Sequence, residues 1–493
     1  MSFIPHDLTI EGFLLIVSVL LFISLLASKL SGRFGIPALI LFLAVGMLAG
    51  SDGPLGIYFD DPGLAQSFGI IALSFILFSG GLNTRSEEMR PVIGKGIVLS
   101  TVGVLVTAFV VGLFVHLVIG LTLVEGLLLG SIVSSTDAAA VFSILQSKSL
   151  NLKNRIAQIL ELESGSNDPM AYFLTITLTQ YLLMPEKTSL WMIIPNFLMN
   201  MAIGAVVGVL MGRLALLIIN KIHLDNTALY PVLSFSLVLF SYSFADLLHG
   251  NGFLAVYLTG IILGNSFFIN KNTIIKFSDG IAWLMQIIMF ITLGMLVFPS
   301  QIPPVILTGV LVSLVLIFIA RPLSVFISLS FHKIDFRSKW YISLVGLRGA
   351  SPIVFATYPL IAGINKSSLI FNLVFFIVIT SVLLQGSTIS VLAKWMKLDM
   401  PDKKPLKSFK LYDEIKNELT EMVLPVHSKA VGKELVELKF PSTSLIVLIN
   451  RNNTYLTPKG STVLKAKDRL LIMTEDKKEI PKIKECLDII KKS

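Results

Sequence analysis

The chain has 493 residues, 54% of them hydrophobic, a mean hydropathy of +0.81 and a formal net charge of +9. That balance excludes an ordinary soluble domain, and the apolar runs are too long for barrel strands, which leaves a polytopic helical membrane protein. The positive charge is no nucleic-acid footprint, since it sits in short loops and the tail, and one cysteine, Cys486, excludes an internal disulfide framework.

The start, MSFIPHDLTIEG, has no positive n-region and no cleavage site, so the first apolar run reads as a retained helix. Thirteen spans are predicted, at 11–28, 35–50, 64–82, 93–118, 122–146, 154–182, 191–219, 227–248, 252–268, 277–298, 304–330, 337–360 and 368–396. Alternate loops carry Lys29, Arg33, Arg85, Arg90, Lys95, Lys148, Lys153, Arg155, Arg213, Lys221, Lys271, Lys276, Lys333, Arg337 and Lys339. The other loops carry Lys187 and Lys366, with Asp52, Asp60 and Asp61. The positive-inside rule then predicts an outside N-terminus and a cytoplasmic C-terminal domain, which requires an odd number of spans.

Breaks within spans matter more than lengths. In the fifth, Ser134-Ser135-Thr136-Asp137 interrupts an apolar run, and these residues compete for backbone hydrogen bonds. Thr136 or Asp137 is placed to cap a second half-helix that begins at Ala138–Ala140. In the sixth, IAQILELESGSNDPMAYFLTITLT places Glu163, Ser164, Asn167 and Asp168 near a bilayer midplane, with Glu161 before them. Each carboxylate there costs about 3 kcal/mol on insertion scales, so the groups must face protein or a wet cavity. Ser164 and Asp168 are four apart, as are Glu163 and Asn167, so hydroxyl and carboxylate share a face. A low dielectric disfavours the unpaired charge of Asp168, so a proton or a hard cation must neutralise it. One carboxylate that takes either, never both, is the minimum for exchange. In the twelfth span Gly346, Gly349 and Pro352 bracket Arg348 and predict an unwound centre. An intramembrane Arg and Glu each need a partner, so Arg348 is expected to form a structural ion pair with Glu163. Glu161, Asp246, His116, His249 and Arg321 fall near predicted span ends and receive no role.

The two breaks are seven spans apart. They occupy matching places if spans 1–6 and 8–13 are two inverted repeats, and paired broken helices mark a secondary transporter's binding site. The predicted fold is thus all-α and polytopic, with thirteen transmembrane helices in two inverted six-helix repeats, helices 5 and 12 broken. The exchanger domain is 1–399 and the linker 400–410, of which Pro401–Lys410 is the core. The tail, 411–493, is a small cytoplasmic α+β domain with strands at Met422–Val426, Ser444–Asn450 and Arg469–Thr474. A turn is predicted at Asn452-Asn453, with helices at Lys433–Leu438 and Ile480–Ile490.

ESGSNDP at Glu163–Pro169, STDAAAV at Ser135–Val141, GLRGASPIVFA at Gly346–Ala356 and GNGFLAVYLTGIILGN at Gly250–Asn265 together resemble the bacterial cation:proton antiporters of the NhaP type. The tail, with GKELVELKFP at Gly432–Pro441 and KDRLLIM at Lys467–Met473, is similar to the TrkA-C domain of regulators of potassium conductance. A TrkA-C tail without a preceding dinucleotide-binding half resembles the potassium/proton branch. The resemblance implies that Asp168 is the shared cation and proton carboxylate. It implies that Thr136, Asp137 and Ser164 complete the cation shell beside Asn167, and that exchange of potassium, or alternatively sodium, for a proton is electroneutral. It further implies a homodimer in the bacterial cytoplasmic membrane, in contact with lipid, and a nucleotide-like effector at the tail. One departure is Ser79, in LFSGGL, where many potassium-type relatives carry an acidic residue. No cofactor is expected, and no Gly-rich phosphate loop occurs in the tail. A channel needs a continuous pore, and an intramembrane aspartyl protease gives Thr136, Asn167 and Arg348 no role, so a transporter and not an enzyme is expected.

Overall fold

In a bilayer every backbone polar group must be satisfied by protein, and a single apolar run meets that need within itself by folding as a helix. The computed structural model describes residues 9–488 apart from 35–36, 138–140, 143, 146–149, 187–189, 223, 401–418, 426, 439, 442–443, 452–453 and 475–478. The predicted half-helix start at Ala138–Ala140, the Pro401–Lys410 linker, the Asn452-Asn453 turn, Lys148 and Lys187 lie outside the described residues. The chain divides into two compact units, Met1–Pro401 and Asp402–Ser493.

The first unit is helical. Its elements are α1 (Ile10–Phe34), α2 (Ala38–Ala49), α3 (Pro62–Asn83), α4 (Ser86–Ile119), α5 (Leu123–Ile132), α6 (Ile156–Leu183), α7 (Ile193–Lys221), α8 (Leu229–Leu247), α9 (Gly252–Gly264), α10 (Lys271–Leu296), α11 (Pro299–Ser328), α12 (Phe336–Leu344), α13 (Ser351–Ile361) and α14 (Ser367–Trp395). Among the described residues, eight stretches, in α1, α3, α4, α7, α8, α10, α11 and α14, are long and apolar enough to cross a membrane. Four more, α2, α5, α9 and α13, are apolar but short. At 28 residues α6 has the length but not the composition, because its carboxylates occupy the middle.

The helix starts follow local chemistry. Asp61 caps α3, its Oδ1 accepting from the Leu64 N–H at 2.9 Å, with Pro62 in the first turn. Thr122 and Glu125 form a capping box at α5, Asn251 caps α9 and Asp335 caps α12. Small residues let helices approach closely. A Cβ at Gly81 of α3 would lie 2.5 Å from the Tyr257 carbonyl oxygen of α9, and one at Gly260 would lie 2.6 Å from that of Phe78. That contact holds α3 and α9 together beside the middle of α6.

Among the described residues, two apolar stretches are interrupted. After α5, residues 133–137 are not helical, and 141–142 and 144–145 are helical again. Between α12 and α13, residues 345–350 are not helical. Helix α13 restarts with Pro352 in its first turn, where a missing N–H costs nothing. A two-stranded ladder joins β1 (Asn151–Leu152) to β2 (Asp399–Met400).

The second unit holds an antiparallel sheet of β3 (Leu419–Val423), β4 (Ser444–Arg451), β5 (Thr454–Leu456) and β6 (Arg469–Thr474), in the order β3-β6-β4-β5. Helix α15 (Ile480–Cys486) follows the sheet, and Leu424, Ile449, Leu470, Ile472 and Ile483 share its buried core. The first strand begins three residues earlier than predicted. The expected helix at Lys433–Leu438 is a single 3₁₀ turn, Leu435–Leu438.

Candidate cation and proton site

Pro169 lies inside α6 and has no N–H to give the Gly165 carbonyl. Its own carbonyl accepts from Asn251 Nδ2 at 3.0 Å, with Asn251 fully buried. The helix thus carries Asn167 and Asp168 into the interior, with the Gly165 carbonyl left without its helical donor.

The first interruption meets that face. Ser135 Oγ donates to Asp168 Oδ1 in a short contact. Ser164 Oγ donates to the Thr136 carbonyl at 2.8 Å, and Asn167 Nδ2 donates to Thr136 Oγ1 at 2.5 Å. Asn167 Oδ1 is buried without a hydrogen-bond partner. Where the second interruption ends, Ser351, the first residue of α13, donates from Oγ to Asp168 Oδ2 at 3.0 Å. Asp168 is 5% exposed and Thr136 6%. The backbone N–H of Asp137 donates to the Leu347 carbonyl at 2.8 Å, so the two interruptions are bonded to each other. Asp137 is partly exposed, lies within electrostatic reach of Asp168, and stands so close to Gly349 that a Cβ there would overlap its carboxylate. Asp168, Asn167, Ser164 and Thr136 are therefore one oxygen-rich cluster, with Asp137 at its edge. Ser135 and Ser351 belong to it as well. Ser351 was missed in the sequence, where its one signal was its place before Pro352 at a helix restart.

The expected Glu163–Arg348 pair is corrected. Arg321 of α11 forms the pair with Glu163, at 2.5 Å from Nη1 to Oε1 and 2.8 Å from Nη2 to Oε2, with both side chains buried. A bidentate guanidinium satisfies both carboxylate oxygens, leaving no call for a second cation. Arg348, 1% exposed, instead donates from Nη1 to the Ser134 carbonyl at 2.5 Å and the Ser135 carbonyl at 2.8 Å. Those carbonyls lost their helical donors where α5 ends, and a cation there also suits the negative end of the helix dipole. The second interruption is braced from α14. The Arg348 N–H donates to Ser381 Oγ at 3.0 Å, and Gln385 Nε2 donates to the Leu344 carbonyl at 3.0 Å. Arg321 follows a π-helical turn at Leu316–Ala320 and precedes Pro322. A lone Arg within an apolar run was its signal.

The two sides of Asp168 differ. One turn toward the end of α6, Tyr172 packs on Phe253, Tyr358 and Phe355 with ring centroids 5.1, 5.5 and 5.9 Å away. Toward the start of α6, Ser164 and Glu161 are partly exposed. At the Ser79 departure a carboxylate arrives from elsewhere. Ser79 Oγ donates to Asp279 Oδ1 of α10 at 2.6 Å, and Asn83 Nδ2 to the same atom at 2.9 Å.

Two interrupted helices bonded to each other beside a buried, hydroxyl-lined carboxylate define an ion-coupled secondary transporter of the cation:proton antiport class. The chain belongs to the family described as "Sodium/hydrogen exchanger, transmembrane", whose model matches residues 17–395. A TrkA-C domain matches residues 419–480. The K(+)/H(+) antiporter NhaP of Alkalimonas amylolytica is 42% identical over 465 residues, which is 93% of this chain and 80% of that protein. The K(+)/H(+) antiporter NhaP2 of Shewanella oneidensis is 40% identical over 476 residues, 95% of this chain and 82% of that protein. Among solved structures, the sodium proton antiporter MjNhaP1 from Methanocaldococcus jannaschii at pH 8 superposes with a TM-score of 0.68 at 26% identity, covering 78% of this chain and 99% of that one.

Proposed function

We propose that the chain exchanges a monovalent cation for a proton across a bacterial cytoplasmic membrane, electroneutrally, by alternating access at Asp168. The observation that carries this is the position of Asp168, which accepts hydroxyl hydrogen bonds at once from the first helix interruption and from the helix start that closes the second. A single carboxylate in a dry site is neutralised by one proton or one cation, so the two compete and exchange one for one. Asn167, neutral where a second acid would add a charge, keeps the count at one. The cation is held by Asp168, with Thr136, Ser164 and Asp137 supplying further oxygens and Asn167 Oδ1 unclaimed by any donor. Potassium is favoured, because the 40–42% identical relatives are named K(+)/H(+) antiporters; sodium is the alternative. Glu163 with Arg321 is structural, and Arg348 holds the first interruption in shape.

Thirteen crossings in two inverted repeats, with the N-terminus outside, account for the loop charges and for the seven-span separation of the breaks. In that orientation the aromatic cluster around Tyr172 seals the outer side of Asp168, while the Glu161–Ser164 stripe opens to the cytoplasm. Residues 1–399 form the exchanger and 411–493 a cytoplasmic regulatory tail that takes a nucleotide-like effector. The protein is a homodimer in a lipid bilayer, and the apolar face of α1, with Leu14, Leu15 and Phe22 each about 60% exposed, lies against lipid or the partner.

Proton release tests the competition directly. Adding potassium chloride to purified protein in weak buffer should release about one proton per chain, and Asp168→Asn should abolish it. Full release from the variant would remove Asp168 from the role.

A further inference from the structure

We propose a second cation site, between the cytoplasm and Asp168, made by Glu161, Thr84 and Tyr257; it rests on the antiport reading above. Glu161 lies two turns before Asp168 on α6, about 10 Å along the axis, with Ser164 between them. Thr84 ends α3, where its N–H bonds back to the Gly80 and Gly81 carbonyls. Its Oγ1 stands 2.7 Å from Glu161 Oε1 and 2.9 Å from the Gly80 carbonyl oxygen. A hydroxyl has one proton, so it cannot donate to both at once.

The placement is electrostatically wrong for a scaffold and right for a cation. A helix C-terminus carries partial negative charge and favours cations, yet here it faces a carboxylate. Glu88, held by Arg85 at 3.5 Å and by Gln158 Nε2 at 3.1 Å, adds a further negative group at the rim. Tyr257 completes the cluster from α9. Its ring lies against Gly165, between Glu161 and Asp168 on α6, and its hydroxyl is turned toward Thr84 and Glu161. That hydroxyl is buried, the residue being 3% exposed, and it faces Thr84 without a hydrogen bond of full geometry. A buried phenol oxygen so placed costs free energy unless something fills the gap. One partly dehydrated monovalent cation, held by Glu161, Thr84 Oγ1 and Tyr257 Oη, satisfies all three groups and the helix end together. From there it passes along Ser164 to Asp168, since conduction toward a deep site favours several weaker sites in series.

The test measures exchange from each membrane face in everted and right-side-out vesicles, with whichever of potassium or sodium drives exchange in the wild type. Glu161→Gln keeps the size and the acceptor for Thr84 but removes the charge. It should raise the cation KM at the cytoplasmic face about tenfold, leave the outer-face KM unchanged, and hold kcat near the wild-type value. Tyr257→Phe should raise the same KM by a smaller factor, and Glu161→Asp should recover most of the loss. An unchanged cytoplasmic KM in Glu161→Gln, an equal rise at both faces, or a fall in kcat alone would overturn the site while leaving the antiport reading standing. Absence of cation-driven proton flux in the wild type would overturn both.

Discussion

The backbone N–H of Asp137 donates to the carbonyl of Leu347 at 2.8 Å, across 210 residues of sequence (347 minus 137), and through that bond each helix interruption becomes the other's partner. Unwound backbone is tolerated at membrane depth only where protein satisfies it. Here it is satisfied by the opposite break, by Arg348 and by α14. The result is a site whose shape depends on two segments at once, so a small shift of either changes the surroundings of Asp168.

Arg348 should matter through the first break rather than through Glu163. Arg348→Ala uncovers two buried carbonyls, each bond to a charged donor being worth about 1.5–3 kcal/mol, and should abolish exchange in vesicles. Arg348→Lys keeps the charge but not the fork, and should recover only a minor part of the rate.

The buried pair predicts a definite coupling. Glu163→Gln or Arg321→Gln should each destabilise the detergent-solubilised protein by about 3–5 kcal/mol, since each strands a buried charge. A double-mutant cycle on thermal unfolding should give a large coupling for Glu163 with Arg321 and a smaller one for Glu163 with Arg348. The reverse ranking would restore the pair expected from the sequence.

Ser351 should report on cation binding. Ser351→Ala removes one hydroxyl from Asp168 at a cost of about 1 kcal/mol, so the exchange KM should shift about fivefold with little change in expression. A Ser351→Ala protein with wild-type KM would exclude that hydroxyl from the site.

The tail carries a pH dependence of its own. Burial pushes the Asp468 carboxyl up, but the Arg451 guanidinium, 2.7 and 2.9 Å away, and the Lys465 N–H outweigh it and hold the group below the usual range. A depressed folded-state value stabilises the tail above the ordinary carboxylate pKa of about 4 and loses that stability as pH falls through the folded value. Hydrogen-exchange protection in β4 and β6 of the full-length protein, taken relative to the intrinsic rate at each pH, should therefore be high near pH 7 and fall in acid. Asp468→Asn should show the lowered protection already at pH 7.

Much of this was legible in the residues, for physical reasons. Apolar runs of bilayer length announce helices, and polar residues within them announce where helices break or ions bind. Asp168, Asn167, Ser164 and Thr136 were singled out that way, and the fold brings them together. Partnership was not legible. Glu163 had two buried arginines to choose from, and the choice turned on Arg348 being drawn to the Ser134 and Ser135 carbonyls, which only the folded chain brings near it. Ser351 reads as a helix-start residue until α6 is packed beside it. In the tail, β5 is three residues long, too short for an alternating pattern to register.

Proton flux in reconstituted liposomes tests the central claim most directly. Wild type and Asp168→Asn are compared with an internal pH dye, with potassium or sodium chloride added on one side and the voltage clamped. The account predicts cation-driven proton movement in the wild type that ignores voltage and vanishes in Asp168→Asn. Cation-driven proton movement that survives in Asp168→Asn, or a voltage-driven cation leak without proton coupling, would contradict it.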